Sequence, residues 1–195
     1  MKKNLFKGSL FTVGASLWWG VIGVLYFKFV SFASPLELTI HRTIWTALLL
    51  MITTSYFSKW NEFQKIINKK FNLFILLITG LLVSINWYTW LFGVKTNNLL
   101  DADLGYYIFP ILSVFFGIIF LKEKYNKNKI LSVLLVVVAL IYLLFKLGEI
   151  PWIGIIVAVT FSLYALIRKK IKVSSDTGLL IESLLISPMA IVLFI

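Results

Sequence analysis

Seven stretches of this chain are apolar over lengths that approach or match the thickness of a bilayer, and this limits the fold more than any motif does. Residues 8–27, 71–94, 104–121, 130–145 and 150–167 carry no charge at all. Residues 38–57 hold only His41 and Arg42, and residues 177–195 hold only Glu182. About 18 or more consecutive apolar residues span the hydrocarbon core as a helix. Hydrocarbon offers no partner for backbone N–H and C=O groups, so such runs fold as helices that satisfy their own backbone. The expected fold is therefore all-α and polytopic, with seven transmembrane helices. The 130–145 run is short, and its flanking lysines can extend it by snorkelling. Hydrophobic residues make up 60% of the chain and charged ones 14%, against roughly 45–50% and 25% in soluble domains. The loops are too short for a separate soluble domain, and the first apolar run is too long for a cleaved signal peptide.

A net charge of +11 would point to nucleic acid in a soluble protein. Its distribution gives another reading. Lys2, Lys3 and Lys7 precede the first segment; Lys59, Lys65, Lys69 and Lys70 follow the second; Lys122, Lys124, Lys127 and Lys129 follow the fourth; Arg168, Lys169, Lys170 and Lys172 follow the sixth. Only Lys28, Lys95 and Lys146 fall on the other side. The positive-inside rule then puts the N-terminus in the cytoplasm of a multi-pass inner-membrane protein. The expected partners are the lipid bilayer, including anionic lipid, and a small-molecule substrate. No nucleic acid partner is expected, and the sequence carries no signal of oligomeric state.

The chain has no cysteine and one histidine, which excludes disulfides, thiolate sites and multi-histidine metal sites. There is no glycine-rich phosphate loop and no nucleophile with a base beside it. Neither an enzyme nor a metal or cofactor is expected.

Shifting the chain by 140 residues sets Gly14 on Gly154, Lys28 on Arg168, Ser34 on Ser174 and Arg42 on Glu182. The loop after segment one is poor in basic residues and the loop after segment six is rich in them. That reversal is what an odd-numbered inverted repeat requires, and inverted repeats place transporter substrate sites near the midplane. Residues 1–148 read as a first five-helix repeat and 149–195 as the start of a second, incomplete one.

Helical angles arrange the embedded polar residues into faces. Thr39, Arg42, Thr43 and Thr46 fall within an arc of about 100°, whereas Glu37 and His41, four residues apart, pair on the opposite face. Asp103, Tyr106, Pro110, Ser113 and Gly117 share an arc of about 80°. Pro110 frees a backbone carbonyl there, as helices lining cavities do. Asp101 lies off this stripe, and both aspartates can cap the helix start. In helix one Thr12, Ser16, Trp19, Gly20 and Gly23 share a face. In helix three Asn86, Trp90 and Gly93 share one, and Ser84 and Trp87 another. An embedded charge costs at least about 2.5–3.5 kcal/mol on insertion scales. Arg42 is thus either an anchor bonded to carbonyls near the outer interface or a substrate or gating residue. The tryptophans either pack helices or face a cavity. Glu182 either guards the inner mouth of a path whose outer mouth Arg42 guards, or pairs with the basic loop 168–172.

The segments "HRTIW", "NWYTWLFGV", "LGYYIFPILSVFFGIIFLKEK", "ALIRKKI" and "TGLLIESLLISPMA" resemble RarD-type permeases of the EamA family, within the drug/metabolite transporter superfamily. The resemblance covers essentially the whole chain and implies a ten-helix, two-repeat inner-membrane transporter of which the last three helices are not in this sequence. It matches Arg42 to an arginine common near the start of the second helix, and Tyr106 and Pro110 to the tyrosine and proline of the fourth. The expected function is movement of a small metabolite or drug-like solute, and the candidate path residues are Trp19, Arg42, Trp87, Asp103, Tyr106, Pro110 and Glu182. The competing readings are a non-transporting remnant and a membrane-embedded enzyme using His41 or Asp103.

Overall fold

The computed structural model describes residues 2–30, 32–124 and 126–194, with backbone alone at 2–5, 7, 19, 24, 28, 129, 147, 193 and 194. Every element among the described residues is helical: α1 (Lys2–Leu17), a π-helical turn (Trp18–Gly23), α2 (Val24–Phe29), α3 (Pro35–Tyr56), α4 (Trp60–Ile67), α5 (Lys70–Lys95), α6 (Leu99–Leu121), α7 (Lys127–Leu147), α8 (Trp152–Lys170) and α9 (Ser175–Phe194). Five helical stretches are long and apolar enough to cross a membrane: Gly8–Phe27, Lys70–Lys95, Leu99–Leu121, Trp152–Lys170 and Ser175–Val192. Ile130–Lys146 is a shorter apolar helix. α3, at 22 residues, has the length to span, and Glu37, His41 and Arg42 lower its hydropathy. The protein is a polytopic all-α membrane protein.

Residues 1–34 and 35–195 form two compact units. In the first, α1, the π-helical turn and α2 continue one another, with the wide turn falling on the Trp18–Gly23 segment, which contains Gly20 and Gly23. In the second, α5 is the central helix, packed by α3, α6, α8 and α9; α6 lies along α8, and α3 along α9. Short connections force neighbouring helices to alternate in direction. The ends of α3, α6 and α8 and the starts of α5 and α9 therefore meet at one end, here called the basic end.

Glycine lets two of these helices touch. A Cβ on Gly154 would lie 2.5 Å from the Asp101 carbonyl, and one on Gly105 would lie 2.7 Å from the Gly154 carbonyl. Small residues permit this backbone approach inside a membrane. α6 ends at Lys122 in a left-handed conformation, φ 53°. Asn126 caps α7 by accepting from the Asn128 N–H.

The segment between the second and third apolar runs, which carries no spanning signal, contains α4. Its Ile66 is buried with Leu76, Ile171 and Ile181, and Phe63 and Ile67 pack against them. Eight residues are too few to span, so hydropathy over long windows passes α4 by. Its apolar positions 60, 63, 66 and 67 nevertheless mark one helical face. Two further contacts hold the basic end together. Lys59 pairs with Asp176, which lifts the Lys59 ammonium above the ordinary lysine range, and Glu62 accepts from the Ser174 N–H.

Candidate substrate path

At the end opposite the basic end, α3, α5 and α6 bring five of the embedded polar and aromatic residues together. The Arg42 guanidinium lies over the Trp87 ring, 4.0 Å from its centroid. A cation over an indole face is attracted by the ring quadrupole and loses less on leaving water. One turn along α5, Trp90 Nε1 donates to Asp103 Oδ1 at 3.0 Å. Tyr106, 41% exposed, sits within electrostatic range of both Arg42 and Asp103. Two tryptophans on adjacent turns of α5 thus hold opposite charges, Arg42 from α3 and Asp103 from α6. The Trp19 side chain lies outside the described residues.

The second carboxylate of α6 acts across the interface. Asp101 accepts from the Gly154 N–H at 2.9 Å and the Ile153 N–H at 3.4 Å. It caps α8 rather than its own helix, at the positive end of the α8 dipole. Asn86, on the polar face read in helix three, staples α5 to α8 by donating to the Val157 carbonyl at 2.8 Å and to Thr160 Oγ1 at 3.1 Å.

Below Tyr106 the α6 stripe continues through exposed Pro110 to Ser113 and Gly117. These two line a cavity of about 230 Å³ between α6 and α8, with Phe109, Val114, Ser162 and Leu166 among its other walls. A Glu123–Lys169 ion pair stands at its basic-end mouth. None of Trp19, Arg42, Tyr106 and Pro110, which share polar faces in the sequence, is among the lining residues; the cavity lies one to three turns further along the same stripe. An aromatic series of Tyr106, Phe109, Phe161 and Tyr164 accompanies it along α6 and α8, with ring centroids 4.7–6.3 Å apart.

Glu182 sits elsewhere, in the junction of α5, α8 and α9, and is 1% exposed. Oε1 accepts from Thr79 Oγ1 at 2.6 Å and lies 3.4 Å from Arg168 Nε; Oε2 accepts from the Tyr164 hydroxyl at 3.3 Å. Arg168 also donates to the Ser174 carbonyl at 3.1 Å. Its guanidinium rests against the bare backbone of Gly178, where a Cβ would collide at 2.1 Å. Glu182 thus pairs with Arg168, in the last turn of α8. Sequence reasoning counted Arg168 among the topology charges and missed Thr79 and Tyr164. An arginine one helix away from an embedded acid was the available signal. Among the described residues no acid, histidine or cysteine cluster could hold a metal ion.

The EamA-like transporter family matches residues 6–145. The chain belongs to that family. An uncharacterized transporter of Vibrio cholerae is 35% identical over 189 residues, which is 97% of this chain and 62% of the relative. Protein RarD of Escherichia coli K12 is 31% identical over 188 residues, 96% of this chain and 63% of RarD. The uncharacterized transporter YojE of Bacillus subtilis is 32% identical over 188 residues, 95% of this chain and 63% of YojE. The chain is thus a RarD-type EamA member that spans somewhat under two thirds of the length of these relatives. No solved structure matches it.

Proposed function

We propose that this chain supplies the substrate path of a permease that moves a small metabolite or drug-like solute across the cytoplasmic membrane. The observation that carries the reading is the continuity of one α6 face. It runs from the Arg42–Trp87 and Trp90–Asp103 contacts, past Tyr106 and Pro110, to the cavity at Ser113 and Gly117. Polar groups and a helix-breaking proline at membrane depth are tolerated where they line a route for solute and water. In this reading Arg42, whose guanidinium lies over the Trp87 ring, stands at the outer mouth of the path.

The inverted repeat belongs to the same proposal. α3 begins at Pro35 and α9 at Ser175, which is the shift of 140 that aligns Arg42 with Glu182. Each is the eighth residue of its helix, about 10 Å from the helix start at 1.5 Å per residue. The two charges then lie at matching depths from opposite surfaces. Arg42 faces the outer end of the path, and Glu182 ties α9 to α5 and α8 at the inner end.

Flux measurements test the path in a full-length relative-sized protein carrying this segment. Arg42→Gln is expected to lower solute flux about tenfold, ~1.4 kcal/mol in the transport barrier, with insertion unchanged. Flux equal to that of the parent with normal expression would remove Arg42 from the path. Orientation is tested separately. Reporter fusions at Lys65 and Lys127 are expected to be active in the cytoplasm and a fusion at Asn97 outside it, and the reverse pattern would invert the whole assignment.

A further inference from the structure

The geometry points to the α6–α8 cavity as a binding subsite for a small, uncharged solute with a hydroxyl or amide group, which the Ser113 hydroxyl recognises. This rests on reading the cavity as part of a solute path, and it names the class of solute.

Ser113 is the anomaly that carries the proposal. Many helical serines and threonines of this chain bond back to the carbonyl four residues earlier, Thr39, Thr43, Ser55, Ser84, Ser132, Thr160 and Ser187 among them. For Ser113 that carbonyl is Phe109, and it accepts instead from Ser162 Oγ of the facing helix at 3.4 Å. The Ser113 Oγ is left fully buried with no hydrogen-bond partner; other atoms of the residue form part of the cavity wall, and a turn about χ1 to another staggered rotamer brings the hydroxyl to a solute there. Buried hydroxyls are almost always satisfied, so an orphan asks for a partner from outside the fold. One turn away Pro110 has no N–H to give the Tyr106 carbonyl its usual helical donor, so the same face offers an acceptor as well.

Charge and size narrow the solute. The lining residues carry charge only in Glu123 and Lys169, and these neutralise one another at the mouth. A charged solute would enter with no countercharge beside Phe109, Val114 and Leu166, at a high cost in desolvation. A dry apolar cavity of about 150 Å³ in another protein accommodates benzene. A space of about 230 Å³ suits one ring, or an aliphatic group of that bulk, bearing a short polar arm.

The absence of cysteine makes a direct test clean. Ala165→Cys puts a single thiol on the cavity wall, and Leu135→Cys puts one on an exposed face of α7 as the bilayer control. Each variant is reconstituted in vesicles and its modification rate by a neutral benzyl thiosulfonate reagent is followed by mass spectrometry, with benzyl alcohol, toluene, benzylamine or benzoate present. Benzyl alcohol is expected to slow modification of Ala165→Cys about tenfold more than toluene does, the charged analogues not to slow it, and Leu135→Cys to show no such difference. Adding Ser113→Ala is expected to erase the preference for benzyl alcohol over toluene. Equal protection by alcohol and toluene would overturn the proposal. So would a preference that survives Ser113→Ala, or protection at Leu135→Cys matching that at Ala165→Cys. The assay requires no flux, so a failure of the permease reading would show separately, in the Arg42→Gln transport measurement.

Discussion

Replacing Glu182 by leucine is expected to destabilise the protein by about 3–5 kcal/mol, the usual cost of removing one partner from a buried ion pair. The carboxylate is 1% exposed, and the Arg168 side chain is 11% exposed. Leucine fills a similar volume, so the loss is electrostatic. It leaves Tyr164 without its carboxylate acceptor, Thr79 with the Leu76 carbonyl at 3.2 Å alone, and Arg168 as a buried cation. Arg168 has no second carboxylate to fall back on: one of its terminal nitrogens already lacks a hydrogen-bond partner, and the Ser174 carbonyl is a neutral acceptor. Glu182→Gln keeps a carbonyl oxygen for one of the two hydroxyls and sets an N–H2 donor against the other; retaining a polar partner beside Arg168, it is expected to lose less. The double variant Arg168→Met with Glu182→Leu is expected to recover most of the loss, since removing both partners of a buried pair is often nearly neutral. Unfolding in detergent, followed as a double-mutant cycle, checks this. A single Glu182→Leu variant within about 1 kcal/mol of the parent would mean the pair contributes no more than a surface ion pair.

The helices were legible because bilayer physics writes them in one dimension: a long uncharged run has no other stable form. The embedded polar residues were legible as well, since each is costly and so stands out from its surroundings. Trp87 and Arg42 were both singled out in this way, though not as partners. The pairing of helices was less legible. An apolar face shows that a helix is buried or lipid-facing, but not which neighbour it meets, so Asp101 could not be assigned to cap α8 and Asn86 could not be assigned to Val157. Arg168 was hidden among the basic residues read as topology charges, and the contact with Glu182 and the Gly178 cradle show that its head turns inward. α4 escaped because a surface helix of two turns leaves no spanning signal. Ser113 was visible as part of a stripe. Its missing partner depends on Ser162 taking the Phe109 carbonyl, a contact between residues 53 positions apart in sequence.

Gly154→Val is expected to separate α6 from α8. The first added carbon would sit 2.5 Å from the Asp101 carbonyl oxygen, 3.1 Å from the Gly105 nitrogen and 3.2 Å from Asp101 Oδ1. Two of these neighbours are backbone atoms, so no rotamer change relieves the contact, and the helices themselves must move. Overpacking of a tight interface costs typically 1–3 kcal/mol. Displacing Asp101 from the Ile153 and Gly154 N–H groups adds the loss of a helix cap, about 1 kcal/mol. Asp101→Ala removes the cap alone and is expected to cost only that second part. Gly14→Val is the control for valine in an apolar helix, because a Cβ there meets nothing within 4 Å, and it is expected to be near neutral. The interface being tested also forms the two walls of the cavity. Its loosening should therefore raise the modification rate of Ala165→Cys and abolish the distinction between benzyl alcohol and toluene, even where Ser113 is intact. Limited proteolysis and thermal unfolding of the three variants give the stability order. If Gly154→Val unfolds with Gly14→Val rather than well below Asp101→Ala, the close crossing of α6 and α8 at Gly105 and Gly154 is not what holds the cavity walls together.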